Sequence, residues 1–124
     1  MSANPSPELA NIDDVVVSAS MFGHGDAYWC NGKEIAHFED DGVIEIRLTK
    51  AVIRERRADF KADDRVELRP SGADWIAVRF ESSADAAFVV DLVRTAADAH
   101  RPPPGVAAKP PPDGEDLKRR QRFH

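Results

Sequence analysis

The chain of 124 residues contains a single cysteine, Cys30. One cysteine can form neither an intrachain disulfide nor a cysteine-based metal cluster, so the fold must be stabilised by packing. Cys30 ends the apolar stretch 27–30, and free cysteine is among the most frequently buried residue types. We therefore expect a buried structural thiol and not a nucleophile.

Long apolar runs are also missing. No segment approaches the roughly 20 apolar residues that a bilayer-spanning helix needs. Residues 1–7 contain two prolines and lack the basic and apolar regions of a secretion signal. With 42% apolar and 31% charged residues, the composition is typical of a globular protein. We expect a cytoplasmic protein that does not associate with membranes.

Charge is unevenly distributed along the chain, and residues 1–100 have fewer basic than acidic side chains. The net charge is −5, but residues 101–124 carry six basic and three acidic side chains, which leaves −8 on residues 1–100. Nucleic-acid affinity comes largely from lysine and arginine side chains that neutralise phosphates. The acidic body is therefore not expected to bind nucleic acid, and the basic tail is where a protein partner is expected to bind.

Prolines mark the domain boundaries. Six of the nine prolines lie between residues 102 and 112, and such triplets favour polyproline II over helix or strand. We therefore divide the chain into a flexible N-terminus (residues 1–8), a single domain (residues 9–100) and a disordered, proline-rich, basic tail (residues 101–124).

Four short strands separated by turns are predicted before residue 49. Asn31-Gly32 is the strongest turn signal, because both central positions of a type I′ turn need positive φ. Residues 43–48 alternate, with Ile44, Ile46 and Leu48 on one face. Gly23-His24-Gly25 is interpreted as a turn, with a ligand-binding loop as the alternative.

Two helices and two more strands follow. Thr49 is a candidate N-cap for a helix over residues 50–57, and residues 66–69 and 75–80 form a strand pair across a turn at residues 70–72. Ser82 and Asp85 fit a capping box that starts an amphipathic helix running to about residue 99. The fold class is therefore α+β: an antiparallel sheet of about five to six strands with two helices packed on one face.

Three segments together resemble a known family: Asn31–His37, Gly42–Leu48 and Trp75–Arg79 leading into the last helix. They are similar to the bacterial luciferase-domain family of small proteins and, more distantly, to the MmcQ/YjbR-like and TfoX N-terminal domains. The resemblance covers about residues 20–98. It implies the fold, but it carries over no catalytic residue and no light-producing chemistry.

The sheet face opposite the helices is the candidate binding or interface surface. Strand alternation predicts that it carries two tryptophans, a histidine, two arginines and a glutamate: Trp29, His37, Arg47, Trp75, Arg79 and Glu45. Aromatic and arginine side chains are enriched at binding surfaces. The alternative is a solvated face held by cross-strand pairs of glutamate and arginine.

The sequence predicts no catalytic constellation, metal site or cofactor. The four histidines lack a ligand spacing such as His-x-x-x-His, and no phosphate-binding glycine motif is present. His37 with Glu39, Asp40 or Asp41 is the nearest approach to a metal site, but a segment rich in aspartate and glycine is usually only a turn.

Two functions therefore stay open. The first is a non-catalytic binding or protein-interaction module that uses the mixed sheet face, with self-association into a homodimer around Trp75 as one form of it. The alternative is a small-molecule or cofactor-binding enzyme component with a pocket between sheet and helices. The sequence leaves open whether the chain is an enzyme.

Overall fold

A computed structural model describes residues 4–21, 25–40, 42–68, 73–112 and 114–122. They form a six-stranded antiparallel sheet in the order β1-β2-β3-β4-β6-β5. The strands are β1 (Val16–Ala19), β2 (Asp26–Cys30), β3 (Lys33–Asp40), β4 (Val43–Arg47), β5 (Val66–Leu68) and β6 (Trp75–Arg79). The helices are α1 (Ser6–Ala10), α2 (Lys50–Glu55), α3 (Arg57–Ala62), α4 (Ser83–His100) and α5 (Gly114–Arg122). The predicted α+β class and strand number are confirmed.

Residues with positive φ form the turns between β2, β3 and β4, as predicted. Asn31 and Gly32 both have positive φ, 52° and 75°, as the hairpin between β2 and β3 requires. Gly42, with φ 87°, turns the chain from β3 into β4. The first four strands therefore lie side by side in chain order.

Helix α4 covers one face of the sheet and begins with the predicted capping box. The Ser82 hydroxyl accepts the Asp85 amide, and the Asp85 carboxylate accepts the amides of Glu81 and Ser82. These backbone hydrogen bonds lower the pKa of Asp85 to about 2. The apolar stripe of α4 packs against β3 and β4 and includes Leu92, which has no exposed surface.

The layer between sheet and helices is filled by apolar side chains. The members with no exposed surface include Ile44, Ile46, Ile76, Val78, Val89, Leu92 and Val93. Cys30 also lies here, 1% exposed, with its thiol 3.6 Å from the Ala97 carbonyl oxygen. Burial raises the pKa of this thiol. The predicted burial of Cys30 is confirmed.

The number of helices was underestimated. We expected two, and the described residues contain five. The helix predicted over residues 50–57 is α2 followed by α3, with Arg56 between them. Helix α1 begins inside the segment that we expected to be flexible, because Leu9 and Ile12 join the core and are 0% and 6% exposed. No helix of the described residues is long and apolar enough to cross a membrane.

The described part of the tail passes the hairpin between β2 and β3. The Lys109 amide donates to the Asn31 side-chain oxygen at 2.9 Å, and the Arg101 guanidinium bonds the Asp14 carboxylate at 3.0 Å. Helix α5 follows the last proline triplet. Disorder of residues 101–124 stays a prediction that truncation can test.

Candidate functional site

Strand register brings together the side chains on the sheet face opposite α4, called the second face below. His37 lies opposite Glu45, Glu45 opposite Ala77, and Arg47 opposite Trp75. Directly opposed residues project to the same side of a sheet. The predicted grouping of His37, Arg47 and Trp75 on one face therefore follows from the pairing.

The predicted face residues differ in how far they reach solvent. Trp29 is 1% exposed and His37 is 4% exposed, so neither offers a free surface. Arg47 and Trp75 are half-buried, with the Arg47 guanidinium 5.5 Å from the Trp75 ring centroid. Arg79 is exposed and donates to the Asp64 carbonyl oxygen at 2.7 Å. The accessible part of the face therefore centres on Trp75.

A β-bulge in β3 adds Glu34 to the second face. Tyr28 pairs with Ala36, but the next residue of β2, Trp29, pairs with Glu34. Ile35 is thus an extra residue on β3, and Ile35 and Ala36 both join the core. The shift in alternation turns Glu34 to the side of His37, three residues along the chain.

Glu34 is a buried carboxylate held by several donors. It is 1% exposed. The Ser20 hydroxyl lies 3.1 and 2.9 Å from its two oxygens, and the Met21 amide donates at 2.6 Å. His37 Nδ1 is 2.8 Å from Oε2. Buried charges need partners of this kind. Ser20 and Met21 therefore hold Glu34 in place, and Glu34 in turn orients the His37 ring.

His37 meets a carboxylate at each ring nitrogen. Nδ1 faces Glu34, while Nε2 lies 3.0 Å from Glu39 Oε1 and 2.9 Å from Glu45 Oε2. Burial lowers the pKa of His37, but hydrogen bonds with Glu34 and Glu39 outweigh burial and raise that pKa above its ordinary value. The arrangement favours the protonated, positively charged form of the His37 ring.

The solvent exposure of the side chains around His37 increases from Glu34 at one end to Glu39 at the other. The side chains of Glu34, His37, Glu45 and Glu39 are 0%, 5%, 14% and 47% exposed. The Trp75 ring centroid lies 5.2 Å from that of His37. The group is therefore reached from the side of Glu39, and its inner end is closed.

Three ligand-type atoms converge at the open end. One atom each from His37, Glu39 and Glu45 lie within 4.8 Å of one another. Of the other residues weighed for a metal site, Asp40 is exposed at the end of β3; Asp41 lies outside the described residues, as does His24 of the glycine-flanked turn. We call His37, Glu39 and Glu45 the acidic histidine cluster.

Sequence reasoning placed His37 and Glu45 on this face but did not predict the contact between them, and it missed Glu34. Regular alternation places Glu34 on the opposite face from His37, and Glu45 comes from another strand. A usable signal was the adjacent apolar pair Ile35-Ala36 inside an otherwise alternating strand, since such a pair is typical of a bulge.

The fold and the cluster define a small α+β domain with a buried histidine–carboxylate group on its sheet. The model of the Luciferase domain family matches residues 32–96, more than half of the chain, so the chain belongs to the luciferase-domain family. The matched segment contains the whole acidic histidine cluster and Trp75. The predicted similarity to MmcQ/YjbR-like and TfoX domains stays untested. Comparison with curated proteins and with solved structures finds no match.

Proposed function

We propose that this chain is a non-catalytic binding module whose ligand is a cation held at the acidic histidine cluster. One observation carries the proposal: Glu34, Glu39 and Glu45 all approach a single imidazole ring. Carboxylate and imidazole groups are regular ligands of cations, and one ligand-type atom each from His37, Glu39 and Glu45 lies within 4.8 Å of the others. A cation at this point would be held by both kinds of group.

The distribution of polar groups supports this surface over a pocket between sheet and helices. Of the described residues, the buried polar side chains are Ser20, Glu34 and His37, and they contact one another on the second face. The helix side of the sheet presents fully buried aliphatic side chains such as Ile44 and Leu92. Acid–base chemistry in a pocket between sheet and helices would need ionisable side chains in that layer. The buried ionisable pair of Glu34 and His37 lies on the second face instead.

The aromatic ring of Trp75 lies next to the acidic histidine cluster. Its ring centroid lies 5.2 Å from that of His37 and 5.5 Å from the Arg47 guanidinium carbon. Aromatic faces attract cations, with about 0.5–2 kcal/mol for one contact. A cation that enters past Glu39 would therefore meet carboxylates and a ring together.

The test is a ligand panel with matched variants. Divalent metal ions, guanidinium and methylammonium salts are added separately while thermal unfolding is followed by circular dichroism. At least one cation is expected to raise the melting temperature of the native chain and of Glu8→Gln, an exposed glutamate of α1. Glu45→Gln is expected to lose that response. Equal responses in both variants, or none from any cation, would refute the proposal.

One observation favours the alternative of an enzyme component. A carboxylate on Nδ1, as Glu34 provides at 2.8 Å, is the usual way to orient a general-base histidine. Nε2 would then have to reach a substrate proton, which requires the half-exposed Glu39 side chain to move aside. The same cation panel separates the two functions, because a general base does not require a bound cation.

A further inference from the structure

We infer that the cation is a divalent transition-metal ion bound by His37 Nε2 and one carboxylate oxygen each of Glu39 and Glu45. This inference rests on the proposed function, since it names the occupant of the same site. Imidazole and carboxylate are both regular ligands of Zn²⁺, and three protein ligands with one open position form a recurring zinc arrangement.

The distances fit such an ion after a small adjustment. Metal–ligand bonds of 2.0–2.1 Å in a tetrahedral site hold neighbouring ligand atoms about 3.3 Å apart. His37 Nε2 is already 3.0 Å from Glu39 Oε1 and 2.9 Å from Glu45 Oε2, and one ligand-type atom from each of the three residues lies within 4.8 Å of the others. Both carboxylate oxygens would have to move outward by about 0.3–0.4 Å to reach the tetrahedral spacing, and the Glu39 side chain is half-exposed to solvent.

The hydrogen bond on the other ring nitrogen is an independent observation. A histidine that binds a metal almost always donates its second N–H to a carboxylate, carbonyl or water, which fixes the tautomer and the ring orientation. Glu34 makes this contact at 2.8 Å and is itself held by Ser20 and Met21. The ring is therefore set with Nε2 directed at Glu39 and Glu45.

Ligand chemistry and charge narrow the choice of metal. One imidazole with two carboxylates suits Zn²⁺ and also Mn²⁺ or Fe²⁺, whereas Mg²⁺ and Ca²⁺ prefer all-oxygen sites. Two ligand carboxylates neutralise a divalent ion, and Glu34 remains available for the ring N–H. The competing occupant is a proton on Nε2, which would be held by the same two carboxylates.

Calorimetric titration of the full-length, tag-free chain after chelator treatment tests the inference. We expect one Zn²⁺ per chain and no heat with Mg²⁺ at the same concentrations. His37→Gln and Glu45→Gln are expected to weaken binding about 100-fold or more, and Glu34→Gln about 10- to 100-fold. Glu8→Gln and His100→Gln are the matched controls and are expected to bind as the native chain does.

Glu39→Gln keeps the test valid if the buried variants fail to fold, because its side chain is 47% exposed. This variant should fold and lose at least about 10-fold in zinc affinity. Zinc binding that is unchanged in Glu39→Gln and Glu45→Gln would overturn the inference. Absence of metal binding, with organic cations still stabilising the chain, would overturn it and leave the proposed function standing. No response to any cation would refute both.

Discussion

Replacing Glu34 by glutamine is expected to weaken the fold by an amount that its contacts allow us to bound. Glu34 is 1% exposed and accepts from Ser20, Met21 and His37. Glutamine has nearly the same shape, and its carbonyl oxygen can still accept one amide hydrogen. Its NH₂ group, however, must face a position that a carboxylate oxygen occupied.

Two of the three partners can adapt to that group. The Ser20 hydroxyl can rotate to accept, and His37 Nδ1 can accept if the ring proton stays on Nε2. The hydrogen bond from a charged imidazolium to a carboxylate is then lost, and such bonds are worth about 1.5–3 kcal/mol. We therefore expect Glu34→Gln to fold with stability reduced by about that amount.

The pKa of His37 determines how the stability loss of Glu34→Gln depends on pH. The pKa of folded His37 is raised above its unfolded value near 6.5. Its stabilising contribution is thus fully present below about pH 6.5 and is lost as pH rises through the folded pKa. The difference between native chain and Glu34→Gln should accordingly be largest in mildly acidic buffer and should shrink toward alkaline pH.

The assay is urea denaturation of metal-free protein, followed by far-ultraviolet circular dichroism at several pH values. Glu8→Gln is the control and should stay within about 0.5 kcal/mol of the native chain, as surface substitutions usually do. If the free energy of unfolding of Glu34→Gln equals that of this control at every pH, Glu34 does not hold His37. The hydrogen bonds described around His37 would then be wrong.

Three further outcomes are expected. Leu92→Ala should lower the free energy of unfolding by about 2–5 kcal/mol, and Arg94→Ala by no more than about 0.5; equal urea midpoints would contradict the helix phase. Truncation after His100 should lower stability by about 1 kcal/mol or less, since Arg101 makes a partly exposed ion pair; a loss of many degrees would show that the tail docks on the body. Trp75→Ser should abolish any self-association seen by sedimentation while the fold is retained; a native chain that is monomeric at all concentrations would rule out the proposed dimer.

Features fixed by short sequence segments were predicted well. The positive φ angles of Asn31 and Gly32 and the capping box of Ser82 and Asp85 depend on neighbouring residues only. The alternation of β4 and β6 was also sufficient to place Arg47 and Trp75 on the same face, where the structure pairs them. Such features need no knowledge of distant contacts.

The cluster itself could not be predicted, because it depends on a register shift and on pairing between strands. The bulge at Ile35 moves Glu34 to the face of His37, and β4 supplies Glu45 from eight residues away. A strict period of two assigns Glu34 to the wrong face. The short helix α1 was missed for a similar reason, since burial of Leu9 against distant elements stabilises it.

The most direct test of the account is a crystal structure of the zinc-loaded chain, with an anomalous difference map measured at the zinc absorption edge. The account predicts one peak about 2.0–2.2 Å from His37 Nε2 and from one oxygen each of Glu39 and Glu45, with Glu34 still bonded to Nδ1. A map with no peak at this cluster, and with Nε2 hydrogen-bonded to the two carboxylates as in the metal-free chain, would contradict it.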